Sequence, residues 1–144
     1  MDNLTLAEYR DLARFRFEIR RFLQFSEQAA RARGLEPQQH QALLALKGLP
    51  EGTPASIGEL AGRLLLKHHS AVGLVDRLEK AGLISRQPGT GDARQVLVRL
   101  TRSGETVLRR LSLAHREELQ VSGPRLLAAL RTIVAGRPKE AKAS

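Results

Sequence analysis

With 144 residues, of which 42% are hydrophobic and 27% charged, the chain can bury one sizeable core. It has no apolar run near the ~20 residues that a membrane-spanning helix needs, so a single soluble unit with no membrane partner is expected. The absence of cysteine excludes disulfides, thiolate metal sites and thiol-based oxidation sensing, while 24 Lys and Arg against 15 Asp and Glu give a net charge of +9 that draws polyanions and makes nucleic acid the leading partner class.

The segment from Met1 to Leu12 carries acids and no continuous apolar stretch, which argues against a secretory signal and for a cytoplasmic location. From Glu8 to Ala30 no Pro or Gly interrupts the chain. Leu12, Phe15, Ile19, Phe22 and Ala29 recur there at helical spacing, which predicts a long amphipathic helix within 1–35. Phe17 and Phe25 fall off that stripe and serve either a partner helix in a dimer or the chain's own later helices. Gly34 stops the helix, Pro37 suits the first turn of a second, and Leu43, Leu44 and Leu46 supply its apolar content before a loop at 50–55.

Ser56-Ile57-Gly58-Glu59 reads as a capping box, with the Ser oxygen accepting from the Glu amide and the Glu carboxylate returning to the Ser amide. It opens a third helix over about 56–64, with Ile57, Leu60, Ala61 and Leu64 on one face. After a turn at 65–67, a fourth helix is predicted over about 68–81, with Ala71, Val72, Val75 and Leu78 inward and Gly82 as its stop. Leu83 and Ile84 then open a strand, Pro88 to Asp92 supplies turn chemistry, and Val96, Val98 and Leu100 alternate with Gln95, Leu97 and Arg99, giving a β-hairpin over about 83–100. Thr101 suits the N-cap of a fifth helix bearing Val107, Leu108 and Leu111 on one face. Ser122-Gly123-Pro124 is expected to break it, leaving a last helix from Pro124 to about Val134 and a flexible basic tail over 136–144. The expected fold is mainly α with a small β-hairpin wing (α+β). A winged helix-turn-helix at 36–104 stands between an N-terminal helix at 1–35 and C-terminal helices at 105–135.

Helix, turn, helix and hairpin is the order a major-groove reader needs, because one helix supports, the next enters the groove and the hairpin reaches the flanking minor groove. Between Gly62 and Gly104 stand eight basic residues against three acidic ones, so charge concentrates where DNA would lie. Lys67, His68, His69 and Ser70 occupy the amino end of the fourth helix, where polar side chains address base edges and the helix dipole favours phosphate. Arg77 suits the DNA backbone. Asp92, two residues before Arg94, can hold the guanidinium and aim it into the minor groove; the plainer reading is a surface ion pair contributing at most about 1 kcal/mol. Gly73 costs about 1 kcal/mol against Ala, which either close approach of DNA or packing must offset. The four histidines, His40, His68, His69 and His115, form no metal-spacing motif, and no phosphate loop is present, so no enzyme, metal or cofactor is expected.

Glu59-Leu60-Ala61, the run Leu74 to Glu79, Gly82-Leu83-Ile84 with Arg86, Asp92-Ala93-Arg94, and Leu100-Thr101 with Gly104 resemble, in order and spacing, the MarR family of regulators. The resemblance runs from Ser56 to Gly104. It implies a homodimer whose first and last helices intertwine, two winged lobes on a pseudo-palindromic operator in double-stranded DNA, and repression relieved by a small effector, aromatic or phenolic in class. Carried over by position, Arg94 is the wing arginine and Asp92 its orienting acid. Lys67, His68, His69, Ser70 and Gly73 become recognition-helix contacts, with Arg77 and Arg86 completing the DNA-binding set. Three departures stand out: Glu36 where the family often caps the second helix with Thr or Ser, Leu65 in place of a frequent Gly, and Gly73 where longer polar residues are common. An effector would lie between the outer helices and the DNA-binding lobe, with Phe15, Phe22, His40 and Leu111 as candidates that core packing explains equally well. The alternative function is a winged-helix protein-interaction module without specific DNA binding, against which the presence of Arg86, Asp92 and Arg94 counts.

Overall fold

The computed structural model describes residues 3–89 and 95–138. Its elements are α1 (Leu6–Ala32), α2 (Pro37–Lys47), α3 (Ile57–Leu64), α4 (His68–Lys80), β1 (Ile84–Pro88), β2 (Val96–Leu100) and α5 (Arg102–Ala135). They fall into two compact units, one within Ala29–Leu113 and the other within Met1–Gln28 and Ala114–Ser144.

The core of the Ala29–Leu113 unit follows from helical periodicity. Ala71, Leu74, Val75 and Leu78 recur at spacings of three and four on α4 and are fully buried, against Leu43 of α2, Leu60 of α3 and Leu111 of α5. Ala61, small and buried, lets α3 and α4 cross closely, as a helix-turn-helix requires. Each fully buried Leu or Val removes enough apolar surface to contribute roughly 1.5–3 kcal/mol.

The caps are built differently from the sequence expectation. Ser56 Oγ does accept the Glu59 amide at 3.1 Å, but the Glu59 carboxylate turns one helical turn on to Arg63, also at 3.1 Å, and the Ser56 amide bonds the Pro54 carbonyl. Half of the expected capping box is therefore made. At the start of α2, the Gln39 side-chain oxygen accepts the Glu36 amide at 2.9 Å, and the Glu36 carboxylate also accepts from Arg77 of α4. The turn after α3 is closed by Leu65 in the left-handed region at φ +55, a conformation costing a non-glycine residue roughly 1–2 kcal/mol. Its side chain is 92% exposed, so no burial within the chain offsets that cost.

β1 and β2 pair antiparallel from Ile84 opposite Leu100 to Pro88 opposite Val96. Ile84 and Val98 face the core, while Val96 is exposed. The short stretch before α3 joins this hairpin: the Val98 amide donates to the Ala55 carbonyl at 2.8 Å and Ser56 bridges Leu97, a third edge that the sequence pattern did not announce.

At the far side of the hairpin, Thr101 caps α5. Its Oγ1 accepts the Gly104 amide at 3.1 Å and donates to the Gly82 carbonyl at 2.6 Å. Gly104 is required by space, since a Cβ there would stand 2.1 Å from the Leu83 carbonyl oxygen. The expected break at Ser122-Gly123-Pro124 does not occur: α5 is one helix from Arg102 to Ala135, with Pro124 inside it. Buried Ala129 and half-buried Leu126 on its later turns continue the apolar stripe past the proline, so packing outweighs the hydrogen bond and the steric freedom that Pro124 removes, together about 3 kcal/mol.

In the other unit, the two off-stripe rings of α1 separate. Phe25 lies edge-on to His115 of α5 at 5.2 Å between ring centroids, with Phe22 at 6.0 Å and Ser26 Oγ 2.8 Å from His115 Nε2, so this ring packs on the chain's own helix. Phe17 stays exposed beneath the Arg21 guanidinium. Arg137, just past α5, donates to Asp11 through Nε at 2.5 Å and a second nitrogen at 2.7 Å, and this hydrogen bonding holds the Asp11 carboxyl below its ordinary range.

Replacing Gly104 by Ala is expected to lower stability by roughly 1–3 kcal/mol, because the new Cβ must push the Leu83 carbonyl aside. Chemical denaturation checks this, and an unchanged midpoint would mean that the α5 start relaxes without strain.

Candidate nucleic-acid interface

At the amino end of α4, Lys67, His68 and His69 are all exposed. Lys67 is its N-cap, in extended backbone at φ −66 and ψ 151, and a lysine has no oxygen with which to cap the first-turn amides. Unsatisfied N–H groups, the positive end of the helix dipole and the Lys67 ammonium therefore act together where His68 and His69 are exposed and Ser70 is half-buried. This arrangement favours a polyanion whose oxygens and base edges can take those donors. Among the described residues no cluster of His, Asp or Glu is arranged to hold a metal ion.

Two arginines expected at the interface are engaged within the lobe. Arg86, half-buried on β1, donates to Asp76 and, at 2.7 Å, to Glu79, both on α4. The Asp76 hydrogen bond is the largest influence raising the Arg86 pKa above the ordinary arginine value, against the opposing effect of partial burial. The guanidinium thus ties the wing strand to the recognition helix; the structure places it in the joint between them. Arg77 lies on the outer face of α4 with its Nε 3.3 Å from a Glu36 carboxylate oxygen. Gly73 sits one turn before it, and a Cβ there would meet Arg77 Nη1 at 3.5 Å, an ordinary contact, so nothing within the chain forces glycine at this position.

Asp92 and Arg94 lie outside the described residues; the strands that lead to them end at Pro88 and begin at Val96, with the Gly89 amide donating to the Gln95 carbonyl at 2.9 Å. The four candidate effector residues are divided between the units. Phe15 and Phe22 are half-buried on α1 in one, while His40 and Leu111 are buried in the other, Leu111 as part of the apolar core. Asp76, Glu79 and Glu36, the acids that hold the two arginines, were missed as functional residues. The signal for the first two was present, since positions 76 and 79 share one helical face within reach of an adjoining strand.

A family model described as the MarR family matches residues 33–95, the stretch that contains α2, α3, α4 and β1. Over that stretch, somewhat under half of its length, the chain is similar to the MarR family. Among relatives, it is 35% identical over 79 residues to the transcriptional activatory protein BadR of Rhodopseudomonas palustris, covering 55% of this chain and 45% of that protein. It is 39% identical over 74 residues to the uncharacterised HTH-type transcriptional regulator YcgE of Bacillus subtilis, covering 51% of this chain and 46% of that one. The chain thus spans about half the length of these curated relatives. Its fold is that of a MepR mutant of S. aureus bound to an oligodeoxyribonucleotide, at a TM-score of 0.64 and 19% identity over 96% of this chain and 88% of that one. The winged helix-turn-helix expected from sequence is present.

Arg86→Ala is expected to lower the unfolding free energy by about 1 kcal/mol, the scale of a small, partly exposed ion-pair network. Arg86→Lys should restore only part of it, since a single ammonium nitrogen lacks the planar fork whose separate nitrogens meet the two carboxylates. Equal melting curves for all three proteins would show that the joint does not depend on this residue.

Proposed function

We propose that this chain is a DNA-binding transcriptional regulator of the MarR family that acts as a homodimer on a pseudo-palindromic operator. The observation that carries the reading is the open amino end of α4, basic and without a side-chain cap, presented beside a two-stranded wing. Lys67, His68, His69 and Ser70 would address the major groove, and Arg94 with Asp92 the minor groove. The net charge of +9 supports the choice of partner. Among the described residues no helix is long and apolar enough to cross a membrane, and a cytoplasmic location goes with the proposed DNA target.

The dimer is supported by apolar surface left outside: Leu6, Tyr9, Phe17, Val121 and Val134 are each more than half exposed on α1 and α5. A second copy is the occupant that fits, since two half-sites roughly 34 Å apart along DNA call for two identical lobes. Repression by occupying promoter DNA is the proposed sign of regulation. The proposed effector is a small aromatic or phenolic molecule, whose action would need Phe15, Phe22, His40 or Leu111.

Fluorescence anisotropy with a duplex from the region upstream of the chain's own gene, set against a scrambled duplex over a salt series, tests this reading. Wild type should prefer the native duplex with affinity falling steeply as salt rises, and Arg94→Ala should weaken both duplexes while leaving the melting temperature within a few degrees. No binding to either duplex at low salt would turn the winged lobe into a protein-interaction module. Light scattering at micromolar concentration should give a dimer, and Phe17→Asp with Val121→Asp should shift it towards monomer; a monomeric wild type would remove the two-lobe operator.

A further inference from the structure

The middle of the outer face of α4 lacks a side chain of its own, because Gly73 stands there between His69 and Arg77 on successive turns. The space is not empty. The Arg77 side chain runs back towards the amino end of the helix, and its Nη1 comes within 3.5 Å of the point where a Cβ of residue 73 would sit. Glu36, at the cap of α2, takes the Nε of the same guanidinium at 3.3 Å. The carboxylate therefore engages the Nε edge of the planar group, Nη1 lies over Gly73, and the terminal pair of nitrogens is left for a further acceptor.

We infer that Arg77, folded over Gly73 and held by Glu36, is a base-reading residue that selects guanine in each half-site of the target duplex. The inference rests on the DNA-binding function proposed above and adds to it a specificity determinant. A guanidinium with a free fork matches the O6 and N7 acceptors of guanine in the major groove, the commonest side-chain pairing there, and a guanidinium held in place before binding has less freedom to lose. A glycine at position 73 serves this arrangement, because any long side chain there would occupy the surface that the guanidinium uses. A phosphate contact would not need it, since an arginine at the same place could reach a backbone oxygen from many rotamers.

The test selects duplexes from a pool with a randomised central segment, using the full chain as wild type, Arg77→Ala, Arg77→Lys and Gly73→Leu. Anisotropy then follows on the recovered duplex and on a copy with the guanine replaced. Wild type should recover a symmetric motif with one guanine per half-site that Arg77→Ala no longer selects, the preference for that guanine falling roughly ten- to a hundredfold while the rest of the motif is kept. Arg77→Lys should keep the salt dependence and lose the guanine. Gly73→Leu should lose the guanine although Arg77 is intact, and its fold is checked by circular dichroism. An unchanged motif in Arg77→Ala overturns the inference. So does a uniform loss across all duplexes with the salt slope reduced by about one, which marks a phosphate contact. Retained guanine selection in Gly73→Leu overturns the folded-back geometry. If wild type recovers no motif at all, the DNA-binding function itself falls, and the inference with it.

Discussion

The carbonyl groups at the end of α4 are the fixed point of the winged lobe. Gly82, at φ +76, turns the chain out of the helix, and Thr101 then takes the two exposed carbonyls: its hydroxyl donates to Gly82 at 2.6 Å and its amide to Leu83 at 3.1 Å. Gly104 lets the first turn of α5 settle against the same peptide. Because β1 leaves from this turn and β2 returns to it, the end of the recognition helix, the root of the wing and the start of α5 share one small set of backbone atoms. A displacement of any of the three is felt by the other two, which is how a closely packed interior transmits strain.

Charge in the lobe is arranged in two layers on this frame. One is paired within the chain, with Asp76 and Glu79 on Arg86, Glu59 on Arg63, Glu36 on Arg77, and Lys47 on Glu105. Such pairs add little stability individually because their side chains are largely solvated. Their effect is geometric, holding long cationic side chains in chosen directions. The other layer, at the start of α4, has an ammonium, two imidazoles and bare amides without a capping acceptor. The sequence count of basic over acidic residues saw the sum of the layers but could not separate them.

Most of the fold was legible because it depends on local signals. The apolar spacing on α3 and α4, the Ser56 cap, the alternation before Thr101 and Gly82 as a stop each act within a few residues. What escaped depends on residues distant in the chain. Pro124 reads as a breaker until the apolar stripe on both sides of it is buried, Phe25 is ambiguous until His115 is placed beside it, and the Ala55 carbonyl has no visible partner until β2 arrives. The candidate site divides in the same way. Lys67, His68 and His69 are candidates from position, and the structure leaves them exposed at the start of α4, whereas the engagement of Arg86 and Arg77 required knowing which acids the fold brings to them.

Pro124 has a mechanical meaning. With no N–H at 124, the carbonyl of Gln120 loses its partner in the helical ladder, and two residues earlier the Ser122 hydroxyl adds a second bond onto the Glu118 carbonyl. Around this turn α5 is held by fewer axial rungs than elsewhere, so bending stiffness along the helix is uneven. The missing rung thus lies in the part of α5 beyond Leu113, while the turn that caps the wing keeps its own hydrogen bonds.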